Sequence, residues 1–188
     1  MKLQAIKRVC LARNRWRIVN ASDGSQWLSD WTNYYRIVGI SISEEYIQDV
    51  FALTDKQMKK AVTETSHRRE TFFREDMQAF GDTVSFAGGV WAFEQLIYAF
   101  DAGGKTLYVP EIAIKPTQFE NCSDLRLVYD AGHNPLIGIY HGFFCDAWVS
   151  PIETEWAARI SEALAELGGK PVFGAGREVS DIGEAAVN

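Results

Sequence analysis

The sequence predicts an α+β fold: antiparallel sheets with an N-terminal helix, one or two short middle helices and a C-terminal helix. Three observations carry this. Apolar residues recur at helical spacing near both ends, apolar and polar residues alternate along 15–40 and 124–149, and Gly-containing turn signals separate the alternating runs. With 47% hydrophobic residues in 188, the chain has apolar mass for one core. Residues 1–168 therefore read as a single domain, with 1–75 and 76–152 as candidate pseudo-repeat units before a closing helix 151–168, and 169–188 as a flexible tail.

The first helix spans 2–13, because Leu3, Ile6, Val9 and Cys10 share one side. Short strands follow at Arg15–Ala21, with Trp16 and Ile18 on one face, at Gln26–Asp30, and at Tyr34–Ile40; the Asp23-Gly24 pair suits the tight turn between the first two. Ser43 is an N-cap, Glu44 and Glu45 favour the positive helix end, and the helix runs to about Leu53. From Thr54 to Met77 the polar composition suggests only strands near 61–65 and 71–74. Punctuation by Gly88-Gly89 and Gly103-Gly104 suggests strands near 83–87, 90–93 and 105–109, with helix or strand at Glu94–Phe100. Pro110 and Pro116 bracket one or two helical turns, and Glu111–Asn121 is the second helix of the repeat reading. Leu125, Leu127 and Tyr129 alternate with polar neighbours, and a meander continues through Leu136–Tyr140 and Phe143–Val149. Ser150-Pro151-Ile152-Glu153 matches a capping box, opening a helix with Trp156, Ile160, Leu164 and Leu167 as its apolar stripe and Gly168-Gly169 as its stop.

Charge is uneven. Residues 1–74 hold 13 Lys+Arg against 8 Asp+Glu, a net of +5, while the remainder holds 6 against 17, a net of −11. Lys2, Lys7, Arg8, Arg13, Arg15 and Arg17 crowd the opening seventeen positions with no acid among them, which makes them the candidate nucleic-acid-binding residues. Trp16, Trp27, Trp31, Tyr34 and Tyr35 lie close by. They read mainly as core, with Trp31 and Tyr34 the ones left exposed.

No catalytic, cofactor or metal constellation emerges. Cys10, Cys122 and Cys145 are odd in number and lack CxxC spacing, so they read as buried free thiols. His141 and Cys145 stand four apart in a strand region, which sets them about 13 Å apart if one strand carries both. His133, His141, Cys145 and Asp146 match no zinc spacing, and the glycine pairs form no phosphate loop. No run is long and apolar enough for a membrane span and the N-terminus lacks a signal-peptide core, so a cytoplasmic, non-enzymatic protein is expected.

Gln26-Trp27-Leu28-Ser29-Asp30-Trp31-Thr32-Asn33-Tyr34-Tyr35, followed by a short helix ending in Phe51-Ala52-Leu53-Thr54-Asp55-Lys56, resembles a group of uncharacterised phage and prophage proteins of Gram-positive gut bacteria, over residues 1–168. More distantly, Leu107–Ile152, with its ending Trp148-Val149-Ser150-Pro151-Ile152, is similar to the terminal unit of bacterial DNA sliding clamps. That resemblance implies two helix-plus-three-strand units, helix 2–13 facing DNA phosphates, and a homo-oligomer if a circle is to close. It departs from the clamp pattern at Glu111–Asn121, where Lys115 stands against Glu111 and Glu120. The expectation is an accessory protein of DNA replication or recombination. The alternative is a protein-interaction module using exposed aromatics and the closing helix, without nucleic-acid contact.

Overall fold

The computed structural model describes residues 3–21, 24–60, 62–66, 81–130 and 133–166. Helix α1 (Leu3–Arg13) buries Ile6, Val9 and Cys10, as its periodicity predicts. It stops at Asn14, whose φ of 54° lies in the left-handed region that asparagine tolerates, with its N–H donating to the Leu11 carbonyl. Strands β1 (Arg15–Asn20), β2 (Gln26–Ser29) and β3 (Tyr34–Ile37) form an antiparallel meander, with Trp16, Ile18, Leu28 and Tyr35 in the main core. β3 ends before the expected Ile40, since Gly39 turns the chain at φ 83° and leaves Val38 and Ile40 exposed.

Helix α2 (Glu44–Val50) is capped by Ser43, whose Oγ accepts from the Tyr46 N–H at 3.1 Å. It stops short of Leu53 because Ala52 takes a positive φ of 47°. The next element corrects the sequence reading. Asp55–Lys60 is a helix, α3, and Thr54 and Gln57 close a reciprocal capping box at its start. Strand β4 (Val62–Ser66) follows near the predicted place, while the strand expected at 71–74 lies outside the described residues.

The glycine pair at 88–89 misled the reading of the next stretch. Strand β5 (Ser85–Ala92) runs through it with a bulge between Phe86 and Gly88, and the chain turns instead at Phe93-Glu94, both at positive φ. Glu94–Phe100 is therefore mostly strand, within β6 (Gln95–Ala102). Gly103-Gly104 does make the turn into β7 (Lys105–Pro110). Glu111–Asn121 is not one helix. Helix α4 (Glu111–Ile114) passes into two 3-10 turns, because Pro116 lacks an N–H and Gln118 adopts φ 54°. Strands β8 (Asp124–Tyr129), β9 (Pro135–His141) and β10 (Phe144–Val149) form the predicted meander before helix α5 (Thr154–Glu166).

The strands make two sheets, ordered β4-β1-β2-β3-β10-β9-β8 and β5-β6-β7. Every pairing is antiparallel except β1 with β4. A helix followed by three antiparallel strands occurs twice, as α1-β1-β2-β3 and α4-β8-β9-β10, and the two sets meet where β3 pairs with β10. One continuous core joins the inner face of the larger sheet to α1, α2, α4 and one face of the smaller sheet. The other face of the smaller sheet packs Val90, Ile97, Ala99 and Tyr108 against Ile160 of α5.

Candidate functional site

The turn between β2 and β3 is built on Asp30, which is wholly buried. Its Oδ1 accepts from the Thr32 N–H, the Thr32 hydroxyl and the Asn33 N–H at 3.0, 3.0 and 2.6 Å, and its Oδ2 accepts from Asn33 Nδ2 at 2.9 Å. Arg13 Nε reaches the same Oδ2 at 3.2 Å. A buried carboxylate is stable only when satisfied in this way. The cage also holds Trp31 at φ 82°, a conformation that costs a bulky residue about 1–3 kcal/mol and persists only where its surroundings impose it. The Ser29 hydroxyl accepts the Trp31 N–H at 2.9 Å, and the Arg17 guanidinium lies 5.2 Å from the ring centroid.

Ser150–Glu153 runs beside this turn and corrects the capping-box expectation, since α5 begins only at Thr154. Two tertiary bonds hold the segment out of the helix: the Ser150 N–H donates to Asn33 Oδ1 at 2.9 Å and the Ile152 N–H to the Tyr108 carbonyl at 2.7 Å. Two clefts border the joined turn and segment and share Thr32 and Ser150–Glu153 in their linings; the first is the groove beside α1 and α4. The first, about 400 Å³, is walled by Val9, Ala12, Ile112, Pro151 and Trp156, with Arg13 among them. The second, about 460 Å³, is bounded by Trp31, Tyr34, Asp130, Asn134 and Leu136. At the mouth of the first, Phe93 and Trp156 meet edge to face at 4.9 Å, and Arg159 lies 4.8 Å from the Trp156 centroid. Phe93, Trp156 and Ile112 are 46%, 41% and 40% exposed, so this end is an apolar surface facing solvent.

The six basic candidates take different positions. Lys2 lies outside the described residues. Lys7 is half-buried and donates to the Phe51 carbonyl, tying α1 to the end of α2. Arg13 binds Asp30 and lines the first cleft, whereas Arg17 is half-buried over Trp31. Arg8 and Arg15 are exposed, and Arg8 shares a depression between α1 and α4 with Lys115, itself paired with Glu111 at 2.9 Å. Arg15 and Arg17 leave the same face of β1.

Of the aromatics expected to be exposed, Trp31 is half-buried and Tyr34 is buried against Trp148, which stacks on Trp27 at 4.7 Å. Burial raises the Tyr34 phenol above its ordinary range, and neighbouring Arg17 pulls it partly back.

His141 and Cys145 sit on the two strands of one hairpin, not along a single strand: His141 pairs with Phe144 and Cys145 with Tyr140. The Cys145 thiol points at the Ala147 carbonyl at 3.4 Å, and burial pushes it up to about 12. That keeps it a thiol at neutral pH, and the thiol is a poor nucleophile. His141 Nδ1 lies 2.9 Å from Asp146 Oδ2. His133 is exposed in a turn, and among the described residues no three His, Cys, Asp or Glu side chains gather as a metal-ligand set.

No family model, curated protein or solved structure matches the chain. The groove is thus read from its own geometry. Sequence reasoning missed it because Asn33 and Ser150 look like ordinary turn and cap residues. The one sequence-level hint was Trp31 inside a turn rich in Asp, Thr and Asn.

Proposed function

We propose that this chain is a protein-interaction module that takes an extended segment of a partner protein into the groove beside α1 and α4, where the β2–β3 turn meets Ser150–Glu153. The observation that carries this reading is the junction of a partly apolar cleft with an exposed Phe93–Trp156 pair. Exposed aromatics beside a preformed apolar concavity are the anchors that dominate protein interfaces. A random peptide library displayed against the intact chain tests it. Enriched segments are expected to bind about tenfold more weakly to Trp156→Ala and to Ile112→Arg, the loss of a single interface anchor. Failure to enrich any segment, or binding to both variants as tight as to the native chain, overturns the reading.

A second reading is favoured by one observation. Arg8 and Arg15 are exposed and form no ion pair among the described residues, and Arg8 shares its depression with Lys115. On this reading the chain is a phage-derived accessory of DNA replication or recombination, gripping phosphates without reading bases. Fluorescence anisotropy with duplex and single-stranded DNA should then show affinity at low salt that falls steeply as salt rises and is lost in the Arg8→Ala/Arg15→Ala variant. Absence of low-salt affinity removes this reading.

A further inference from the structure

Resting on the peptide-binding reading of the groove, we propose that the bound segment is acidic at one defined place: its apolar side chain fills the first cleft and the neighbouring Asp or Glu side chain is taken by Arg13. A guanidinium carries five N–H donors. Arg13 directs its Nε to Asp30 yet keeps its side chain 53% exposed, and it makes no second ion pair among the described residues. Asp30 is itself locked by Thr32 and Asn33, so the outward half of the fork is held in place before any ligand arrives. A pre-set fork loses little freedom on binding a carboxylate, and such charge-assisted pairs are among the stronger hydrogen bonds. Val9, Ala12, Ile112 and Pro151 around it supply the apolar contact.

Arg13 and Glu153 line the same cleft, so the acid is placed on the Arg13 side of it. Glu153 is exposed, forms no ion pair among the described residues and borders both clefts, so it opposes an acidic guest from the junction.

The same displayed library provides the test, followed by synthetic copies of an enriched segment. Enriched segments should carry one Asp or Glu at a constant offset from an apolar residue. Changing that acid to its amide should weaken binding to the native chain about tenfold, the order of one lost charge-assisted contact. Arg13→Gln should bind acid and amide forms alike, and Glu153→Gln should bind the acid form more tightly than the native chain does. Because Arg13 also supports Asp30, the peptide acid-to-amide change and Glu153→Gln carry the test without disturbing that support. Apolar segments enriched with no acid preference, or a Glu153→Gln variant that binds the acid form no better, overturn the acidic assignment while leaving the groove a peptide site. A library with no enriched segment, or one indifferent to Trp156→Ala, removes both.

Discussion

Asn33, at the end of the turn after β2, holds Ser150, at the end of β10, by an Oδ1···H–N hydrogen bond of 2.9 Å, while its Nδ2 donates to buried Asp30. One amide thus ties the turn to the segment, both of which line the groove. Asn33→Ala removes both bonds and leaves the Ser150 N–H without its acceptor. Because an unsatisfied buried group costs about 1–3 kcal/mol, unfolding in urea should show a loss of about 2–3 kcal/mol. The groove ligand should weaken in parallel. Unchanged stability would mean the bond contributes nothing net.

Gly81 has a sharper steric requirement. A Cβ at this position would stand 1.9 Å from the Leu127 carbonyl oxygen, which is backbone and has nowhere to go. The adjoining segment pairs with the outer edge of β8, through Leu127 N–H to the Asp82 carbonyl and Val84 N–H to the Leu125 carbonyl, both short bonds at 2.8 and 2.9 Å. Gly81→Ala should peel that segment away. Amide exchange at Leu127 and Val84 should accelerate while β2 and β3 stay protected, with a stability loss of about 2–3 kcal/mol.

Alkaline pH should destabilise the fold in a defined window. Burial pushes the Cys145 thiol from its ordinary 9.0 up to about 12. Burial, with help from Glu111 and Glu120, pushes the Tyr98 phenol from 10.0 up to about 12. Tyr35 and Tyr140 are raised as well, chiefly by burial. All these groups hold their protons more tightly folded than unfolded. Their contribution is complete below the unfolded values and is lost as pH rises through the folded ones. The urea midpoint should be insensitive to ionisation of these groups from pH 7 to 9 and fall between about 9 and 12. In Cys145→Ser, which cannot ionise there, the fall should be shallower. A midpoint that rises above pH 9 would contradict the assignment.

Thiol chemistry offers an independent check of the core. Cys10 and Cys145 are buried and raised by that burial, whereas Cys122 is raised but only half-buried. Brief alkylation of the native protein at pH 8 should label Cys122 first. Cys10 and Cys145 should react only as the chain unfolds. Rapid native labelling of Cys145 would show the β9–β10 hairpin to be open.

Local signals were legible where they agreed with tertiary contacts. Ile6, Val9 and Cys10 mark α1, Ser43 caps α2, and the alternation from Leu125 to Val149 gives the last meander. The reading failed where long-range bonds overruled local preference. Ser150-Pro151-Ile152-Glu153 has the chemistry of a helix start, but Asn33 and Tyr108 claim its N–H groups first. Gly88-Gly89 has the chemistry of a turn, yet β6 pairs along both residues, and Leu96 and Tyr98 lie 3.3 Å from where a Cβ on Gly89 would stand. The groove was invisible for the same reason: each wall comes from residues far apart in sequence, and none of them is unusual alone.

The seam between β3 and β10 governs how the molecule is made. As the chain leaves the ribosome, β1, β2 and β3 can pair at once, but β3 offers an unclaimed row of amides and carbonyls until nearly the last strand emerges. Such late closure slows folding and leaves an adhesive border open in the meantime. Chains released before Phe144 should clump, and chains released beyond Val149 should not.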